Sequence, residues 1–193
     1  WIPAVLRNGF IIIKVNPYFD VTFDANGNAV AVTDPSKTRK MTDVSSCNGC
    51  HEKLALHGGG RVDTQYCVMC HNPGTTDPVS GNNVNLATMV HKIHSGRLLA
   101  KSPGGEDYFI GTHDYAEVGF PQDLRNCARC HSGSNPATPQ GDNWKKVVSK
   151  EACLTCHATG TGSSWVTSHT TFANGGNPLN LTNAQCATCH VGP

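Results

Sequence analysis

Cys47-Asn48-Gly49-Cys50-His51 opens a pattern that the chain repeats four more times, as Cys67-Val68-Met69-Cys70-His71, Cys127-Ala128-Arg129-Cys130-His131, Cys153-Leu154-Thr155-Cys156-His157 and Cys186-Ala187-Thr188-Cys189-His190. Cys-x-x-Cys-His is the attachment signature of c-type haem: the two cysteines form thioethers and the histidine takes an axial position on iron. A Cys-x-x-Cys pair is also half of a four-cysteine zinc site, and an even cysteine count suits a disulfide framework. Neither requires a histidine directly behind every second cysteine, and here one always follows. The motifs consume all 10 cysteines of the chain. Five covalently bound haem c groups are therefore expected.

The histidines extend the argument. Of the 10 in the chain, His51, His71, His131, His157 and His190 belong to motifs, while His57, His91, His94, His113 and His169 lie outside them. One further imidazole is thus available for each iron, and imidazole is the commonest metal ligand. His91 and His94 stand three apart, on one helical face with Cβ atoms roughly 5–6 Å from each other. Two trans ligands of one iron must approach opposite faces of its porphyrin, so this pair is expected to serve two different haems. His57 stands too near the first motif to reach around that haem, and should cap another. His113 and His169 are expected in loops. Methionine is the competing axial ligand, but Met69 lies inside a motif, and Met41 and Met89 suit gap-filling. Paired histidines keep haem potentials low, because methionine is the ligand that raises them.

Composition fits this reading. Of 193 residues, 38% are hydrophobic and 15% charged, thin material for a self-sufficient apolar core. Haem macrocycles are large apolar bodies, and roughly 39 residues per haem can wrap them without much regular structure. The formal charge is +1. Each ferric bis-histidine haem with its propionates adds about −1, so the oxidised protein would carry about −4 and the reduced one about −9. No Lys/Arg run argues for nucleic acid. Haem is attached covalently outside the cytoplasm, so export is implied. A chain that opens on Trp1 without initiator Met or signal segment reads as mature or as cut from something longer. The apolar stretch Trp1 to Ile13 is too short and broken to span a bilayer, and no cysteine is left over for a lipid anchor.

Two segments are expected. Residues 1–42 hold no haem motif and read as a short β segment of two or three strands, the end of a β-domain. Asn26-Gly27 between two alternating runs is a hairpin signal. Asp24, Asn26 and Asn28 do not complete a calcium loop and read as a solvated turn. Residues 43–193 read as a pentahaem cytochrome domain, mostly irregular with short α-helices wrapped around the haems. Four residues before each motif stands a helix-capping side chain: Asp43, Asp63, Asp123, Ser149 and Thr182. Helices begun there place the cysteines at the fourth and seventh helical positions and the histidine at the eighth. Thr182 with Gln185 makes a capping box. Residues 85–95 read as a helix ending at Gly96, followed by surface loops at 96–120 and 132–145.

The stretches CNGCHEKLALHGGGRVDTQYCVMCHNP, MVHKIHSG and FPQDLRNCARCH resemble the outer-membrane multihaem cytochromes of metal-reducing bacteria, the OmcA/MtrC family. The resemblance is strong over about residues 40–131 and rests elsewhere on the haem motifs. It implies alternating β and pentahaem domains, and carries over His51, His57, His71, His91, His94 and His131 as ligands. His113 and His169 rest on counting. It further implies extracellular electron transfer at the cell surface toward metal oxides, flavins or chelated iron, with other redox proteins as partners. The chain is accordingly expected to be an electron carrier rather than an enzyme with a dedicated substrate site, with terminal metal reduction at exposed haems. The competing functions are a haem-filament subunit self-associating through haem contacts, a periplasmic shuttle, and a multihaem reductase. The last requires an open iron position, which five spare histidines leave without support.

Pyridine haemochrome assay and intact mass should count five haems per chain, and EPR of the oxidised protein should find every one low-spin.

Overall fold

The computed structural model describes residues 5–7, 10–12, 14–102, 105–157, 169 and 180–190. The chain forms two compact units, one from Trp1–Cys70 with Cys127–Asn143, the other from His71–Asn126 with Trp144–Pro193. Apart from one 16-residue helix, the regular elements among the described residues are short, and no helix among them is long and apolar enough to cross a membrane.

The first unit opens with two antiparallel hairpins. Strand β1 (Val5–Arg7) pairs with β2 (Phe10–Ile12), and β3 (Val21–Phe23) pairs with β4 (Ala29–Ala31) in the register Val21↔Ala31, Thr22↔Val30, Phe23↔Ala29. Four strands stand where two or three were expected, because the broken apolar stretch before Ile13 itself folds back. Between β3 and β4, Gly27 takes φ +82°, the left-handed backbone that glycine adopts freely. Asp24 Oδ1 accepts from the Asn26 and Asn28 amides at 2.9 and 2.8 Å, and Oδ2 from Asn28 Nδ2 at 3.0 Å. These bonds, led by those from Asn28, hold its carboxyl below the usual range. The carboxylate closes its own loop, as a turn does.

Hydrogen bonds hold the rest of this unit. Buried Gln140 donates from Nε2 to the Pro35 carbonyl at 2.6 Å, while its Oε1 accepts from the Lys40 amide at 2.9 Å and Thr38 Oγ1 at 3.1 Å. Asn16 similarly joins the start of the unit to residues 57–62, donating to the Gly60 carbonyl at 2.9 Å and accepting from the Val62 amide at 2.6 Å. A satisfied buried amide of this kind specifies one pairing, since any other leaves it unbonded.

The second unit contains the longest helix, α3 (Leu86–Lys101). Asn85 caps it, accepting from the Ala87 amide at 3.0 Å. Its inner face joins Val84, Met89 and Tyr108, with Leu86, Ile93, Ile110 and Tyr115 packed around them. Tyr108 donates from its hydroxyl to the Asn83 carbonyl at 2.7 Å, and burial pushes that hydroxyl up to about 12. Helix α4 (Lys150–His157) packs on α3, where Thr88 Oγ1 donates to the Glu151 carbonyl at 3.3 Å.

Two expectations need correction here. Helix α3 does not end at Gly96 but runs through it to Lys101. Gly96 is buried, and a Cβ there would collide with the Tyr115 carbonyl oxygen. It serves close approach of a crossing chain, not helix termination. The expected loops 96–120 and 132–145 also contain structure. Strands β5 (Phe109–Ile110) and β6 (His113–Asp114) pair about Gly111 at φ +59°, and Gly141–Lys145 is a 3-10 helix. Asp77 Oδ2 reaches the Gly111 amide at 3.0 Å, pinning the hairpin from outside its own sequence.

Gly96→Ala should destabilise the haem-loaded protein by about 1–3 kcal/mol, because the obstructing atom is backbone. Gly27→Asn should cost well under ~1 kcal/mol, because asparagine tolerates left-handed backbone and a Cβ there meets nothing. Chemical denaturation of both variants tests the contrast.

Candidate haem-binding site

The five motifs lie in two kinds of local structure. In α1 (Val44–His51), Asp43 Oδ1 accepts from the Ser45 amide at 2.8 Å. Cys47, Cys50 and His51 are then the fourth, seventh and eighth residues. Helix α4 places Cys153, Cys156 and His157 identically. Cysteines three apart share one helical face, so both can address one edge of a flat ligand while the histidine turns away.

The other three motifs tighten after the first cysteine. Helix α2 (Thr64–Cys67), capped by Asp63 through the Gln65 amide at 2.7 Å, stops at Cys67. Helix α5 (Asn183–Cys186) stops at Cys186, although Thr182 and Gln185 make the expected reciprocal capping box at 3.2 and 2.9 Å. The third motif is a 3-10 turn, Cys127–Arg129. In all three the second cysteine's amide donates to the first cysteine's carbonyl, at 3.2 Å in Cys70, 3.1 Å in Cys130 and 3.3 Å in Cys189. That i→i+3 bond brings the two sulfurs together as a helical turn would.

Capping therefore held at Asp43, Asp63 and Thr182 but not at the other two positions. Asp123 accepts from the Arg125 amide at 2.9 Å and from the Arg125 guanidinium, closest at 2.6 Å. No α-helix follows it; the guanidinium holds its carboxyl down at about 2. Ser149 precedes α4, yet its hydroxyl donates to Glu151 Oε2 at 3.3 Å instead of receiving a helix amide.

Four predicted ligand histidines share one device. His71 Nδ1 lies 2.8 Å from the Val84 carbonyl, His91 Nδ1 2.6 Å from that of Ala87, His94 Nδ1 2.8 Å from that of Val90, and His131 Nδ1 3.1 Å from that of Met41. A carbonyl only accepts, so each Nδ1 carries the proton and donates it. Each Nε2 then presents a lone pair, the form in which imidazole binds a metal, with its other nitrogen fixed by a backbone carbonyl. Met89, the competing ligand, is committed to the apolar cluster beside Tyr108.

The remaining histidines are placed as follows. His169 and His190 lie with ring centroids 6.5 Å apart and planes 12° from parallel. Two imidazoles on opposite sides of one metal, each about 2.0–2.1 Å from it, have centroids about 6.3 Å apart once the ring radius is added. His113, expected in a loop, stands on β6, its ring edge-on to Tyr115 at 4.7 Å; His94 similarly meets Phe120 at 5.7 Å. His57 takes φ +49° in the turn closed by the Leu56–Arg61 pair, ahead of Gly58 and Gly59 at +71° and +77°. Left-handed backbone at a non-glycine costs about 1–3 kcal/mol and concentrates at functional positions. His51 and His157 end their helices.

The cysteines are exposed or half-buried, open to modification. Burial pushes the Cys47 thiol up to about 11, with Cys130 and Asp43 adding to it. Sequence reasoning missed the carbonyls of Met41, Val84, Ala87 and Val90, which any residue type supplies, and the aromatic neighbours Tyr115 and Phe120. Paired cysteines presented on one edge and imidazoles held in the iron-binding tautomer fit covalently attached haem.

Comparison with known proteins agrees with that fit. The multiheme cytochrome MtrC of Shewanella baltica (strain OS185) is 29% identical over 188 residues, 96% of this chain and 22% of the relative. The crystal structure of the outer membrane decaheme cytochrome OmcA aligns with a TM-score of 0.58 at 31% identity, covering 73% of this chain and 22% of that one. The crystal structure of MtrC from Shewanella baltica OS185 aligns with a TM-score of 0.52 at 27% identity, covering 88% and 24%. The chain spans about a fifth to a quarter of the length of these relatives. The family described as outer membrane cytochrome MtrC/MtrF-like, domains II/IV, matches residues 39–192. The chain belongs to this family of outer membrane multihaem cytochromes.

Proposed function

We propose that the chain is a five-haem electron-transfer module of the cell surface. Its ten motif cysteines would hold five haem c groups, with His51, His71, His131, His157 and His190 as proximal ligands and His57, His91, His94, His113 and His169 as distal ones. Once bound, haem supplies one-electron redox chemistry at low potential. The protein's share is to fix each imidazole so that ligation does not change between oxidation states. The shared anchoring of Nδ1 to backbone carbonyls carries this reading, because a histidine kept for general packing has no need of one common tautomer.

The ring positions support a partial ligand pairing. The separation and near-parallel planes of His169 and His190 support assigning both to one iron. His91 and His94, on one face of α3, serve two. The module's donors and acceptors are other cytochromes on one side and metal oxides, flavins or chelated iron on the other. A β segment over residues 1–42 and a haem domain over 43–193 remain the proposed division.

Counting high-spin irons by EPR separates the two kinds of pair. His169→Ala and His190→Ala should each open one iron, and the double variant should still open only one. His91→Ala with His94→Ala should open two. Two high-spin irons in the first double variant, or one in the second, would contradict the assignment.

A further inference from the structure

Arg129 lies between the cysteines of the third motif, yet its guanidinium faces the first. Its Nη2 donates to Cys50 Sγ at 3.5 Å. It rests over Gly49, where a Cβ would collide with the guanidinium. Gly49 is not among the positive-φ glycines, so glycine is needed there for space alone. Among the described residues, no carboxylate pairs with Arg129. The cation is thus held at the sulfur by shape, and its charge is not answered by an acidic side chain.

We propose that Arg129 is a positioning residue that holds the third attachment motif against α1 and sets the potential of the first haem by keeping a permanent positive charge beside its thioether. This rests on the five-haem reading above. A thioether sulfur remains a weak acceptor after attachment, and a guanidinium stays charged at any working pH. Reduction adds one electron to the haem carried by Cys47 and Cys50, and a fixed cation nearby favours that step. Arg129 stands in the third motif but would act on the first haem, which makes the effect assignable. The contact is partly open to solvent, so screening by salt should weaken it.

The test is a redox titration of the haem-loaded protein, with the moving haem assigned by NMR of its paramagnetically shifted methyl groups. Arg129→Gln should shift the reduction equilibrium of the first haem about tenfold toward the oxidised form, which is 59 mV for one electron. Arg129→Lys keeps the charge and should retain most of the potential. Gly49→Ala displaces only the end of a flexible side chain, so it should fold normally and lower the same haem's potential in part. It carries the test if the glutamine variant loses haem. Five unchanged potentials, a uniform shift of all five, or a shift confined to the third haem would overturn the proposal. Haem count on the same samples separates the two levels. Five haems without a first-haem shift defeats the role of Arg129 alone, whereas fewer than five in the unaltered protein defeats the five-haem reading beneath it.

Discussion

The constraint that shapes this protein is how little apolar side chain it buries. Val84, Met89, Leu99 and Tyr108 are the buried hydrophobic residues among those described, and they belong to the second unit. The first is joined instead by polar side chains such as Gln140 and Asn16, each satisfying two backbone groups of a distant segment. Such bonds contribute about 1 kcal/mol each; they select a pairing better than they drive collapse. Driving collapse needs buried area, and on the proposed reading the macrocycles provide it. The short strands, the 3-10 turns and the exposed cysteines all follow from a chain that need not close on itself.

The same economy governs the imidazoles. A surface histidine samples rotamers and both tautomers, and a metal that must change charge repeatedly tolerates neither. Donating Nδ1–H to a carbonyl removes both freedoms with one bond. At His91 and His94 the acceptors are carbonyls one turn back on α3, so the helix that spaces these proposed ligands also orients them. His71 reaches the Val84 carbonyl while its own carbonyl accepts from the Leu86 amide at 2.9 Å. The motif is thereby tied to the start of that helix from both sides of one residue.

Much of the local structure was legible in the sequence, because short-range chemistry leaves fixed residue types at fixed spacing. Cys-x-x-Cys-His, the capping residues Asp43, Asp63 and Thr182 and the Asn26-Gly27 turn are local signals, and local chemistry decides them. What escaped depends on which segments meet. Gly96 reads as a helix stop until Tyr115 is seen crossing it. The 109–114 hairpin is too short for an alternating pattern, and is held by Asp77 from elsewhere in the chain. Asp123 has a cap's identity, but Arg125 claims its carboxylate. The carbonyls that hold the imidazoles carry no side-chain signature at all.

The attachment segments themselves would not persist alone. An isolated helix shorter than about 12–15 residues is marginal in water, and α1 and α4 have 8 residues each. Caps contribute roughly 1 kcal/mol where they form, which does not cover nucleation. On the proposed reading, two thioethers to one rigid ring would close a small loop over each motif and remove conformations from the unfolded chain, as a disulfide does. That stabilisation asks only that the sulfurs lie on one side, and both the eight-residue helix and the tightened i→i+3 turn satisfy it. On that reading the two backbone forms are alternative solutions to one covalent requirement. Capping alone does not choose between them: Asp43 caps a helix that completes, Asp63 and Thr182 cap helices that stop at the first cysteine, and α4 completes with the Ser149 hydroxyl turned to Glu151.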